Sequence, residues 1–244
     1  MDLRRPAAFI TNDDGVITEA ALGERFVNYK AWQDDPAAML TFMQTNVIVT
    51  ATLADSEVVN VPEYLFVTRT DRRVEKDGKI VGHMYMMHNT PPGSTTGIKS
   101  FICGYKLGEM HCVILTSDAD FCFTRTMNGC TFGIGSPTSC GDVLVSHANS
   151  PKGENEQLKS TQSLFNNGGG TTGILEPSLY RMGGGSLGNS RETGLTINGM
   201  NTATTFGIRD RKTNKWKFYF QSYRASQTLL YAGVLPVLTN SKGK

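Results

Sequence analysis

The chain has 244 residues and lacks any uninterrupted apolar run near the roughly 18 residues that a membrane-spanning helix needs. Its opening stretch, MDLRRPAAFITNDDGVITEA, has two arginines but no apolar core of about seven or more residues, so it does not read as a Sec signal peptide. Charge of one sign is also missing: 24 Lys and Arg stand against 22 Asp and Glu, a net charge of +2, which supplies no broad field for nucleic acid. The five cysteines are an odd number with no CxxC pair, which argues against a disulfide framework or zinc ribbon and for reduced thiols. Histidine is limited to four, yet with five cysteines the chain has several Cys/His pairs at modest separation, so a pairing by itself does not establish chemistry. These absences point to a protein that works in solution, with neither a membrane nor a nucleic acid as partner.

Glycine is present in excess, at 26 of 244 residues, about 11% against a typical ~7%. Short runs rich in Val, Ile, Tyr, Phe and Thr recur between Gly, Pro, Asp and Asn clusters: Phe26–Trp32, Asn46–Leu53, Glu63–Thr68, Lys79–His88, Ile98–Tyr105, Met110–Thr116, Phe121–Arg125, Thr193–Ile197, Thr204–Ile208, Lys215–Tyr223 and Thr228–Leu235. Ile98–Tyr105 and Met110–Thr116 read as a hairpin across Lys106–Glu109, and the charge run Asp71–Asp77 as a solvated turn. Helices are predicted over Pro36–Gln44 and Glu154–Phe165, the latter with apolar residues at Leu158, Leu164 and Phe165. The expected class is α+β, mostly β: a single-domain β-sandwich flanked by a few helices, spanning residues 1–240 with a flexible tail at 241–244.

The chemistry concentrates in Phe121–Asn149, FCFTRTMNGCTFGIGSPTSCGDVLVSHAN. The runs Thr131–Gly135 and Asp142–Ser146 flank a Pro-, Ser- and Gly-containing connection, the pattern of a hairpin. A turn centred between Thr138 and Ser139 places Cys130 directly opposite His147. Such partners share a face with Cβ atoms roughly 4.5–5.5 Å apart, close enough for an imidazole to take the thiol proton. Asn128-Gly129 before the cysteine is a turn dipeptide, so backbone N–H groups near Gly129 and Cys130 are candidates to hold a substrate oxyanion. Thr124, six residues upstream, offers a hydroxyl to orient the imidazole. Cys112 and Cys122 lie in apolar runs and read as core; Cys140, in the hairpin loop, is the rival nucleophile.

On these residues a resemblance rests. Phe123-Thr124-Arg125-Thr126-Met127-Asn128-Gly129-Cys130 resembles the approach to the nucleophile in the group of glutamine deamidases formed by Burkholderia lethal factor and the catalytic domains of the cytotoxic necrotizing factors. There a Thr precedes a Leu-x-Gly-Cys motif and a strand ending in His follows; Met127 replaces the Leu here. The chemoreceptor glutamine deamidases are similar in the same Thr, Cys and His order. The resemblance continues into Thr204–Ala225 and covers less than half of the chain. It implies Cys130 as nucleophile, His147 as general base and acid, Thr124 as orienting hydroxyl, and a helix after His147. It further implies a bacterial toxin or virulence effector, a hydrolase delivered from the bacterial cytoplasm into a host by an injection system. Its substrate would be a host protein, a translation-initiation RNA helicase or a Rho-type GTPase, in the first case with inhibition of translation. No cofactor and no metal are called for, and a monomer is expected.

Other readings compete. The same Cys/His pair serves a transglutaminase if an amine replaces water. A non-enzymatic β-sandwich binding module would use Cys130 and His147 as core residues, and a cysteine protease would need papain-like or caspase-like flanks, which are missing. Met84, Met86 and Met87 beside His83 and His88 read as strand residues packed in or near the core rather than a soft-metal site. The glycine-rich stretches Asn166–Gly170 and Gly183–Gly185 lack P-loop or dinucleotide-fold context. The basic-aromatic alternation Lys215–Phe220 reads as a half-buried strand.

Overall fold

The computed structural model describes residues 29–54, 60–91, 93–166, 170–180, 202–224 and 229–237. Among these residues twelve strands and four helices lie in this order: α1 (Tyr29–Asp34), α2 (Ala38–Met43), β1 (Val47–Val49), β2 (Glu63–Lys76), β3 (Lys79–Asn89), β4 (Ile98–Cys103), β5 (Met110–Leu115), β6 (Phe121–Thr124), β7 (Thr131–Gly135), β8 (Val143–Ala148), α3 (Glu154–Asn166), β9 (Thr171–Leu175), α4 (Pro177–Tyr180), β10 (Thr202–Asp210), β11 (Lys215–Arg224) and β12 (Leu229–Pro236). The protein is mostly β, with two sheets. The runs expected at Thr193–Ile197, at Gly183–Gly185 and in the tail lie outside the described residues.

The larger sheet has the order β1-β3-β2-β12-β11-β10-β6-β4, and β4 also pairs with β2. The sheet thus closes through β2, whose 14 residues meet β4 at Glu63–Leu65 and β12 at Val74–Glu75. Closure removes the unpaired edges that an open sheet would leave on these strands. The smaller sheet, β5-β8-β7-β9, is antiparallel throughout.

Alternation along the strands divides the core. On β6, Phe121 and Phe123 enter one cluster with Trp32, Met39, Met43, Leu65 and Phe206, while Cys122 faces another between the sheets with Phe101, Val113, Phe132, Val145 and Phe218. Strand β4 is likewise buried on both faces apart from Lys99. This overturns the expected hairpin of Ile98–Tyr105 with Met110–Thr116, for β4 lies in the larger sheet and β5 in the smaller. A strand covered on both sides belongs inside a sheet, and β4 sits between β6 and β2.

Two other expectations change. Tyr29–Asp34 is helical rather than part of a strand, its Trp32 ring packed edge-on against Phe42 of α2 at 5.1 Å; residues 26–28 lie outside the described set. Residues 71–76 continue strand β2, and the turn falls at Asp77-Gly78. Met87 is buried, and Met84 and Met86 pack against Val47, Val49, Val74 and Tyr223, as the core reading of that strand holds.

Helix α3 covers the outer face of the smaller sheet. Its acidic first turn, Glu154 and Glu156, complements the positive end of the helix. Gln157, Thr161 and Phe165, at four-residue spacing, form its buried stripe. Close approach is possible because β7 presents Gly133 and Gly135: a Cβ on Gly133 would lie 2.4 Å from Thr161 Cγ2 and 2.5 Å from Phe165 Cε2. A second tie joins the two sheets. Asp120 accepts from Arg209 Nη2 at 2.6 Å, Arg209 Nη1 donates to Asn214 Oδ1 at 3.0 Å, and Asn214 Nδ2 donates to the Cys140 carbonyl at 2.7 Å. The β7–β8 turn is thereby fastened to the β10–β11 turn.

Gly133→Ala is expected to push α3 off the sheet and to lower stability by about 1–3 kcal/mol, the usual cost of overpacking; the urea midpoint of unfolding measures it.

Candidate active site

Strand β8 carries His147 between two partners, opposite Phe132 on β7 and His111 on β5. The β7–β8 ladder runs Thr131↔Ala148, Phe132↔His147, Gly133↔Ser146 and Ile134↔Val145. Continued by one residue, it aligns Cys130 with Asn149. The direct Cys130–His147 opposition read from the sequence is therefore corrected. The turn is centred between Ser139 and Cys140, one residue later than expected, closed by Thr138 N–H donating to Asp142 O and Gly141 N–H to Thr138 O. Moving the centre by one residue moves every partner by two and preserves the face. Cys130 and His147 thus lie diagonally on one side of the sheet, a relation in which Cβ atoms are about 7–8 Å apart or less.

Cys130 and His147 are both buried, at 2% and 1% exposure. Asn149 Nδ2 donates to Cys130 Sγ at 3.3 Å. Its backbone N–H donates to Glu109 O at 3.0 Å, which fixes the end of β8. The Tyr105 ring lies against the imidazole, with centroids 5.6 Å apart and planes at 48°. The Arg125 guanidinium stands over the other aromatic partner in this row, 5.9 Å from the Tyr105 centroid. Asn128 is exposed, and Tyr105, Arg125 and Asn149 are half-buried, so these residues form the boundary between the thiol and solvent.

The turn before Cys130 depends on Gly129, whose φ of 96° falls in the left-handed region that glycine enters without strain. Its N–H donates to Tyr180 Oη at 2.9 Å, and Tyr180 Oη donates to the Cys130 carbonyl at 2.7 Å. One buried phenol of α4 therefore clamps both ends of the Gly129–Cys130 unit. This corrects the expectation that the Gly129 N–H faces a substrate oxygen. Asn128, the other half of that turn, carries its side chain at the surface.

Thr124 ends β6 in the larger sheet. Its hydroxyl donates to Thr205 O and accepts from Thr205 N–H, both at 3.3 Å. With those bonds made to the β10 backbone, the hydroxyl joins β6 to β10, and the group in contact with the imidazole is the Tyr105 ring instead. Cys130 and His147 are thus brought to one face, while the Thr124 hydroxyl is directed elsewhere. Sequence reading missed Asn149, Tyr105 and Tyr180. For Asn149 a signal existed, since it stands two residues after His147 and so on the same strand face; for Tyr180, 50 residues from its contact, none did.

The remaining thiols differ. All five cysteines are outside disulfides. Burial pushes the Cys103 and Cys122 thiols well up from their ordinary range and raises half-buried Cys112 as well, which keeps all three protonated and poorly nucleophilic. Cys140 is exposed in the β7–β8 turn and lines a cavity of about 560 Å³ with Ile134, Val143, Trp216 and Phe218, a lining that includes no histidine. Among the described residues no three His, Cys, Asp or Glu side chains cluster to hold a metal ion, and no helix is long and apolar enough to cross a membrane. No protein-family model matches the chain, and no curated protein matches it at a significant level.

Tyr180→Phe removes both hydrogen bonds on the Gly129–Cys130 unit while keeping the ring. Stability is expected to fall by about 1–3 kcal/mol, the cost of leaving buried backbone groups unsatisfied, read as a lower urea midpoint.

Proposed function

We propose that the protein is a protein-glutamine deamidase with Cys130 as nucleophile and His147 as general base and acid. The observation that carries this reading is the shared strand face of Cys130 and His147, with the Asn149 amide on the sulfur. The Thr-x-x-Met-Asn-Gly-Cys approach to the thiol, similar to that of the lethal-factor and necrotizing-factor deamidases, supports it. His147 takes the Cys130 proton, and the thiolate pair forms a bond to the carboxamide carbon of a substrate glutamine while the carbonyl π pair moves to oxygen. The adduct collapses, the C–N bond breaks, and the amine leaves as ammonia with the proton from His147. Water then gives a proton to His147 and its hydroxide adds to the thioester. The thiolate departs and the side chain is left as glutamate. One amide and one water become one carboxylate and one ammonium ion, with no cofactor in the balance.

The reading includes a toxin or effector role against a host helicase or GTPase. In a GTPase, loss of the glutamine that orients the attacking water would block hydrolysis. The orienting part assigned to Thr124 passes in this proposal to Tyr105, which packs on the imidazole.

The test is peptide mass spectrometry of a eukaryotic lysate treated with the parent protein or with Cys130→Ser. A gain of about one dalton on a single glutamine, present with the parent and absent with the variant, is expected. A primary amine included in parallel separates deamidation from transglutamination by product mass. Peptide cleavage would favour a protease, and no change in any target would favour a binding module.

A further inference from the structure

We infer that the Asn149 carboxamide is the oxyanion-stabilising group of this site, an inference that rests on Cys130 being the nucleophile. The Gly129 N–H, which the turn would otherwise offer, already donates to Tyr180 Oη at 2.9 Å. Tyr180 is fully buried, so opening that bond would disturb the clamp that also holds the Cys130 carbonyl. Asn149 Nδ2 lies 3.3 Å from Cys130 Sγ, and Asn149 is half-buried where the thiol itself is buried. When the sulfur joins a carbonyl carbon, the oxygen that receives the π pair is one bond from that carbon and falls within reach of the same N–H.

The energetics favour a change of partner during the reaction. Sulfur, even as a thiolate, is a large and diffuse acceptor, so the amide stabilises the resting state less than it stabilises a compact oxyanion. An alkoxide oxygen is a strong acceptor, and a bond made to it belongs to the transition state alone, the kind of interaction that raises the rate of the chemical step. The backbone N–H of Asn149, held by the Glu109 carbonyl at 3.0 Å, keeps the residue from swinging away with the chain that leaves β8. Asn149 therefore touches the reacting atom first as a donor to sulfur and then as a donor to oxygen.

Two small reagents separate this role from a general effect on the thiol. p-Nitrophenyl acetate acylates a cysteine through a tetrahedral oxyanion: the S–C bond forms, the π pair moves to oxygen and returns, and p-nitrophenolate leaves. Iodoacetamide alkylates the same sulfur by displacing iodide, with no oxyanion. In a Cys140→Ser background, which removes the exposed thiol, Asn149→Ala and Asn149→Leu are expected to slow burst acylation by about a hundredfold, the usual loss for one oxyanion donor. Their alkylation rates should stay within about threefold of the parent, since that reaction forms no charge on oxygen; a retained alkylation rate also shows that the variant has kept the site's fold. Acylation unchanged in both variants, or acylation and alkylation falling together, overturns the inference while the Cys130 reading stands. A parent that is acylated no faster than its Cys130→Ser counterpart overturns both.

Discussion

The hydrogen-bond ladder between β7 and β8 sets every relation in the candidate site. It places Phe132 opposite His147, Cys130 one step beyond the last paired residue, and Asn149 across from it with its amide on the sulfur. The ladder is held from three directions. Strand β5 pairs along the whole of β8, β9 pairs along β7, and the turn joining the two strands is fastened to the β10–β11 turn through Asn214 and Arg209. A slip of β7 by one residue would turn Cys130 away from the face that His147 shares and put β7's glycines where its aromatic belongs.

Burial gives that ladder a second consequence. With Cys130 at 2% exposure and His147 at 1%, the pair sits in a medium where electrostatic and hydrogen-bonding interactions are stronger than in water. The same burial keeps Cys103, Cys112 and Cys122 as protonated thiols. What distinguishes Cys130 among buried cysteines is its company: an amide on its sulfur, an imidazole on the same strand face, and a glycine turn clamped by a phenol. Polar groups brought together inside an apolar core cost stability unless they are paired, a cost that the proposed chemistry would account for.

Much of this was legible in the residues. Lys79–His88 carries Ile80, Val81 and Tyr85 between turn residues and becomes β3; Glu154–Phe165 has few breakers and becomes α3. Hairpin β7–β8 was readable from Pro137 and Gly141 between two β-rich runs, and so was the shared face of Cys130 and His147. The register was not, because two turn centres one residue apart both suit the segment Ser136–Gly141, and the choice is made by Thr138 bonding Asp142 and by Asn214 holding the Cys140 carbonyl. The separation of β4 from β5 was hidden for a similar reason: sequence neighbours predict a hairpin, whereas burial of both β4 faces commits it to the interior of the larger sheet. Trp32 became helical because its ring found Phe42, a tertiary contact that local propensity does not encode. Thr124 carries the right chemical type for an orienting hydroxyl, but the β6–β10 pairing delivers it to Thr205.

The central claim is that His147 activates Cys130, and the pH dependence of Cys130 alkylation tests it most directly. With Cys140 replaced by Ser, iodoacetamide should modify Cys130 at pH 6 within about threefold of the rate at pH 8, because an imidazole-paired thiolate persists where an ordinary thiol is protonated. His147→Ala should remove that plateau. A parent rate that climbs about tenfold per pH unit over this range, as an ordinary thiol does, with His147→Ala no different, would contradict the account and leave Cys130 a core residue.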